Sequence, residues 1–363
     1  MNKAFKFRLY PNKEQQILID KTFGCVRFIY NKMLEDKISY YKEYKSMLNN
    51  TPAQYKQEFE WLKEVDSLAL ANVQQNLNKA YSNFFRDKKI GFPKFKSKKH
   101  SKDSYTTNNQ KGTISIIDNN HIKIPKVGTI KFKQHRIVPG DYVIKSATIS
   151  KSKTDKYYIS ILTEYEYEIP KLKLDKDNSI GLDYSSPSFY VDSQGIKADY
   201  PKFYRLSENK LAKEQQKLSH MKFGSNNYLK QRLKVAKVHE KISNQRKDWL
   251  HKLSTRLSNQ FDYVCIEDLN MKNMSQGLHL GKSTMDNGFG MFKEMLTYKL
   301  LLRGKQLVKI DKWFPSSKMC NHCGTINSKL TLSDRTWICE CGNIIDRDTN
   351  AALNIKQIGL SLV

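Results

Sequence analysis

Hydrophobic positions change their period several times along this chain, and each change marks an element. The first residues alternate, Phe5, Phe7 and Leu9 against Lys6 and Arg8, which predicts a strand ended by Pro11. From Lys13 the spacing turns helical, with Ile17, Ile19, Phe23, Val26, Ile29 and Tyr30 on one broad side. A tyrosine- and lysine-rich stretch to about residue 62 reads as helix as well. Leu70, Val73, Leu77, Ala80 and Phe84 then recur at steps of three and four, a further helix closed by Gly91 and Pro93. Its opposite side carries Asn72, Gln75, Asn76 and Lys79, amides and a cation of the kind that read base edges in a groove. The plain alternative is a solvated helix face. The basic connector KFKSKKHSK follows.

Between Tyr105 and Pro170 the pattern breaks into short runs such as GTISII, HIKIP, GTIKFK and KYYISILTEYEYEI, with turn residues between them. Alternating β-branched and aromatic residues at this spacing predict an antiparallel barrel, which the N-terminal strand joins, so that the helices between form an insertion. After Lys171 comes a mixed pattern. NSIGLDYSSPSFYVDSQG makes two strands around a turn, and two long amphipathic helices follow, broken near Gly224. The buried strand DYVCIEDLNM, the helix GFGMFKEMLTYKLLLRG and the strand KQLVKIDKW complete an α/β domain. MSQGLHLGKSTMDNGFG, rich in Gly and Ser, reads as a lid.

Length and charge narrow the class. A chain of 363 residues is expected to form two or three domains. Its 63 Lys and Arg against 36 Asp and Glu give a formal charge of +27, which calls for a polyanionic partner, nucleic acid first. A lysine-rich solvated surface is the plainer reading of the same charge. No apolar run approaches the ~20 residues of a spanning helix. MNKAFKFRLYPNK holds no secretory apolar core, so a cytoplasmic location is expected.

Against that background two apolar strands each carry a carboxylate, Asp183 in SIGLDY and Glu267 in YVCIEDL. A charge on a core strand is costly unless it is paired or holds a metal. DRDTNAALNI supplies Asp346 and Asp348, with Asp348 entering a helix whose Ala351, Ile355 and Ile358 face inward. Taken singly, Asp348 reads as an N-cap, Asp183 as a turn former and Glu267 as an ion-pair partner. Together, in so basic a chain, they predict a nuclease site for two Mg²⁺ (or Mn²⁺) ions about 4 Å apart.

Cys320 and Cys323 form a C-x-x-C knuckle before Gly324, and Cys339 and Cys341 a C-x-C before Gly342, with 15 residues between the pairs. Such spacing suits a structural Zn²⁺ in a tetrahedron of thiolates, and a reducing compartment disfavours disulfides. His322 inside the knuckle is the poorer ligand, and Cys25 and Cys265 sit in apolar runs as core thiols.

In combination, FPSSKMCNHCG, CIEDLNMKNM and WICECGNIIDRDTNAALNI, with KFRLYPNKEQQ, FGCVRFIYN, NLNKAYSNFFRDKKIGFPKFKSKK and GLDY, resemble the TnpB (OrfB-type) proteins of bacterial insertion sequences. Those proteins are RNA-guided nucleases related to the type V CRISPR effectors, and the resemblance spans nearly the whole chain. It implies an α+β multidomain fold: a wedge β-barrel (1–12 and 101–172) with a helical recognition insertion (13–100). A RuvC-like nuclease domain of RNase H fold (173–314 and 344–363) would follow, interrupted by a zinc finger (315–343). It also implies Asp183, Glu267 and Asp348 as catalytic Mg²⁺ ligands, with Asp346 in a supporting place. The implied partners are a guide RNA from the transposon end and double-stranded target DNA, bound by a monomeric ribonucleoprotein without a membrane. Cleavage would fall beside a short motif read by the protein, with Asn72, Gln75, Asn76, Lys79, Tyr105, Thr106, Thr107 and Asn108 as candidate readers. Many relatives carry Gly-Ile-Asp-Leu-Gly where this chain has GLDYSS, so the aspartate is kept among different neighbours. A nuclease-silent RNA-guided regulator on the same scaffold is the alternative, and an end-joining transposase a weaker third.

Overall fold

A computed structural model describes residues 1–277, 281–331 and 333–363. The chain divides into two compact units, Met1–Tyr167 and Glu168–Val363.

In the first unit β1 (Asn2–Tyr10) ends at Pro11, and Asn12 caps α1 (Lys13–Tyr44) through reciprocal bonds with Gln15. α1 buries Ile19, Phe23, Ile29, Tyr30, Met33 and Leu34, whereas Ile17 is exposed. Two residues before Ile19, it lies about 200° round the helix, so the apolar side is narrower than the sequence predicts. The tyrosine- and lysine-rich stretch stays helical only to Tyr44. An irregular segment follows, then α2 (Tyr55–Glu58) and a 3₁₀ turn (Glu60–Glu64). α3 (Ser67–Arg86), capped by Asp66, buries Ala69, Leu70, Val73, Leu77 and Tyr81, so its stripe ends on Tyr81 and leaves Phe84 half-buried.

β2 (Ser104–Asn108), β3 (Ser115–Asp118), β4 (His121–Ile124), β5 (Gly128–Lys133), β6 (Val143–Lys151) and β7 (Tyr157–Glu164) join β1 in one seven-stranded sheet. Its order is β2-β6-β7-β1-β5-β4-β3, antiparallel throughout. Alternate residues of β1, β5 and β7, among them Phe5, Phe7, Ile130, Phe132, Ile159 and Ile161, form its core.

The second unit starts with β8 (Ser179–Ser185) and β9 (Phe189–Asp192). The helices α4 (Phe203–Ser219) and α5 (Asn226–Gln260) then lead to β10 (Tyr263–Glu267). Short helices α6 (Met271–Gly277) and α7 (Gly281–Asn287) precede α8 (Phe289–Leu302) and β11 (Gln306–Ile310). The predicted lid lies over α6 and α7, and its residues 278–280 fall outside the described residues. A hairpin of β12 (Thr336–Ile338) and β13 (Ile344–Asp346) leads into the last helix, α9 (Arg347–Ser361).

The main sheet of this unit runs β11-β10-β8-β9, the first three parallel and β9 antiparallel to β8. The two-residue period of the strands sorts their side chains between two cores. Ile180, Leu182, Val264 and Ile266 pack with Leu250, Leu257, Phe292 and Leu296 of α5 and α8. Cys265, Val308 and Ile310 pack with Ile355 of α9 on the other side. There α9 lies so close that a Cβ on Gly181 would stand 2.1 Å from the Ala352 carbonyl oxygen. Only glycine lets that strand and helix meet.

Candidate functional site

The period that turns Val264 and Ile266 toward α5 and α8 turns Glu267 to the α9 face, and it puts Asp183 on the same face as Gly181. β8 and β10 pair in parallel through Leu182 and Ile266. Asp183 and Glu267 are the next residues on these neighbouring strands, whose spacing is about 4.8 Å. α9 packs against both strands and carries Asp348 in its first turn. Three acids from three segments thus meet at the carboxyl ends of parallel strands, where open α/β sheets build their sites.

The directions of the acid pKa values agree with this placement. Burial, then repulsion from Glu267 and Asp348, holds Asp183 well above the usual aspartate range, with Arg347 opposing. Burial also raises Glu267, against the Ser316 hydroxyl that donates to it. Asp348 pairs with Arg347 at 3.4 Å and Arg335 at 3.5 Å. Carboxylates crowded in this way have the donor chemistry of a hard divalent cation. Among the described residues, the cysteines alone form a group of three or more ligating side chains whose donor atoms all lie within 4.8 Å of one another. The acids are not gathered as tightly as that.

Asp346, not Asp348, is the N-cap of α9. Its carboxylate accepts the Thr349 N–H at 2.8 Å, and although burial works against it, bonds to Thr349 hold it below the usual range. Asp348 is therefore free of the capping duty that the sequence leaves open for it.

The cysteine cluster is closed. Cys320 and Cys341 sulfurs lie 3.9 Å apart and those of Cys323 and Cys339 3.5 Å apart. A tetrahedron of thiolates about 2.3 Å from zinc has edges of about 3.8 Å, so the set fits such an ion. Both knuckles turn on glycines in the left-handed region, Gly324 at φ +78° and Gly342 at φ +82°. Bonds from the Thr325 side chain and backbone pull the Cys323 thiol down to about 6. Leu330, Trp337 and Ile345 give the finger its own small core. His322 is exposed and outside the sulfur group.

In the first unit a cavity of about 280 Å³ gathers Asn72, Asn76, Tyr105 and Thr106, together with Arg27 and Lys102. Gln75, Lys79 and Asn108 are not on its wall. Thr107 is fully buried, because alternate residues of β2 turn into the core, and a base-reading role does not fit it. Tyr105 is 4% exposed and packs by Phe23, so its ring serves mainly as a wall. Thr106 bonds Thr148 across the strands at 2.8 Å, and Asn72 donates to the Leu68 carbonyl.

The sequence reading does not single out Ser316, Asn350 or Asn354, all buried beside the acids and the finger. The available signal is the pair of amides four residues apart on a helix whose Ala351 and Ile355 face inward.

Comparison with known proteins places these features in a family. Residues 160–277 match the OrfB family of IS605 type, described as "Probable transposase". Residues 289–355 match "Cas12f1-like, TNB domain" and 1–46 a "Helix-turn-helix domain", a segment that here is one strand and one long helix. A "Putative RNA-guided DNA endonuclease" of Streptomyces pristinaespiralis is 36% identical over 99% of this chain and 90% of its own length. The "Putative RNA-guided DNA endonuclease InsQ" of Escherichia coli is 31% identical over 98% of this chain and 92% of its own. Among solved structures, the Cas12f1 chain of a complex with guide RNA and target DNA matches in fold with a TM-score of 0.64. That match covers 98% of both chains at 13% identity. By sequence similarity over nearly its whole length, this chain belongs to the TnpB (OrfB-type) family of transposon-encoded RNA-guided endonucleases, related to the type V CRISPR effectors.

Proposed function

We propose that this protein is an RNA-guided DNA endonuclease that cuts double-stranded DNA beside a short motif, using one site built on Asp183, Glu267 and Asp348. The observation that carries the reading is the parallel pairing of β8 and β10, which sets Asp183 beside Glu267, with α9 and its Asp348 packed against both strands. Two Mg²⁺ or Mn²⁺ ions, when bound, supply activation of the attacking water and stabilisation of the departing 3′ oxygen, leaving 5′-phosphate ends. The chain's own part is to hold three carboxylates at the sheet edge, with Asp348 kept in place by Arg335 and Arg347. The four thiolates of the finger take Zn²⁺.

In this reading 1–12 and 101–172 are the wedge barrel and 13–100 the recognition insertion, while the RuvC-like domain is 173–314 and 344–363 around a finger of 315–343. The charge of +27 serves phosphates of the guide RNA and of the guide–target duplex. Asn72, Asn76 and Thr106, on one cavity wall, are the motif readers we favour over Gln75, Lys79 and Asn108, which are not on it. One copy acts with one guide RNA.

The test uses the protein with its copurifying RNA sequenced, and a plasmid library carrying the guide match beside randomised bases. Cutting at a fixed distance from one motif, lost in Asp348→Ala while binding persists, supports the reading. Binding without cutting in both Mg²⁺ and Mn²⁺ would replace it with the nuclease-silent regulator, and strand-transfer products would point to a transposase.

A further inference from the structure

We propose that Ser316 is a positioning residue for Glu267, and that Asn350 and Asn354 hold it there by clamping the root of the cysteine finger onto α9. The inference rests on reading Glu267 as an ion ligand and adds the device that aims it. Ser316 is 6% exposed, and its hydroxyl donates to Glu267 Oε1 at 2.5 Å. A carboxylate on the last residue of a strand has free side-chain torsions. A donor fixed on one oxygen selects one rotamer and leaves the other oxygen to a cation.

The serine is itself fixed. Its carbonyl accepts from Asn354 Nδ2 at 2.7 Å and from Asn350 Nδ2 at 3.4 Å. The Met319 carbonyl accepts from both amides at 2.7 Å. In return Asn321 donates its backbone N–H to Asn350 Oδ1 at 2.9 Å and its side-chain amide to Asn354 Oδ1 at 3.0 Å. The two asparagines therefore grip the backbone on both sides of Cys320. They are 4% and 0% exposed, and amides so buried are tolerated because both the nitrogen and the oxygen of each are hydrogen-bonded.

Asn350 lies two residues beyond Asp348 on the same helix. One rigid element thus sets Asp348 directly and Glu267 through Ser316, so the finger's first knuckle and the acid cluster share a single mount.

Ser316→Ala and Ser316→Thr, prepared as full ribonucleoprotein, test this. Mn²⁺ binding is followed by electron paramagnetic resonance, and cleavage is measured as a function of Mg²⁺. Ser316→Ala is expected to weaken Mn²⁺ binding and move the Mg²⁺ dependence by about tenfold or more. Zinc content and target binding stay at the wild-type level, and Ser316→Thr, which keeps the hydroxyl, recovers most of the loss. Wild-type Mn²⁺ binding and Mg²⁺ response in Ser316→Ala would overturn the proposal. So would equal losses in the two variants with Mn²⁺ binding unchanged, since that is a packing effect. An Asp183→Ala control that binds Mn²⁺ like wild type would remove the ion-site reading itself, and the positioning role with it.

Discussion

The cysteine cluster and the acid cluster are two ways of gathering ligand-type side chains in one unit. The four thiols come from Cys320 to Cys341, within a stretch to Asp346 that has its own hairpin and its own core of Leu330, Trp337 and Ile345. Closing so short a loop costs little chain entropy. The three acids lie 84 and 81 positions apart in sequence, and they meet only once β8 and β10 are in register and α9 is seated over Gly181. The first site is a property of a segment, and the second of a whole fold. The finger should therefore tolerate damage to the sheet better than the acids do.

The largest expected effect is on the acids. If Asp183 is the ion ligand proposed above, Asp183→Ala should lower cleavage by roughly 10³-fold or more, with zinc content unchanged by metal analysis. The same variant should melt higher than wild type in metal-free buffer. Because the folded pKa of Asp183 is raised, the folded state binds more protons than the unfolded chain above the usual aspartate range. Stability then falls as pH rises through the window between the two values, and Asp183→Ala should flatten that fall in thermal scans.

Next in size is Gly181→Ala, whose methyl group would meet the α9 backbone at Ala352 and Lys356. A cost of about 3 kcal/mol is expected in denaturant unfolding, with cleavage impaired and zinc retained. Loss of zinc in that variant would break the contrast between the two sites. Cys323→Ser should release zinc and weaken cleavage by about 10–100-fold, while circular dichroism still reports the cooperative transition of the sheet. The smallest effect is expected for Asp346→Ala, about 1 kcal/mol from loss of the α9 cap, with the Mg²⁺ dependence of cleavage unmoved.

How much of this was legible follows from the range of each interaction. Strand and helix periods, the Pro11 stop and the cysteine spacing are local, and β1, α3, β8, β10 and the sulfur group are found where the pattern puts them. Ile17 and Thr107 are misplaced by pattern alone, because which side of an element faces the core depends on partners that the pattern does not name. Asp346 and Asp348 differ by two residues, and only the start of α9 decides which one caps it and which one turns toward the sheet.

From its residues alone the chain determined a strongly basic class, a zinc-type sulfur set and three acids at element ends, since charge, thiol spacing and periodicity are written along the sequence. Tertiary structure decided that those acids converge, that Ser316 reaches Glu267, and that Asn350 and Asn354 join the finger to α9. These contacts bridge segments tens of residues apart. They exist only because strand parity, parallel register and a glycine-permitted helix approach bring the same faces together.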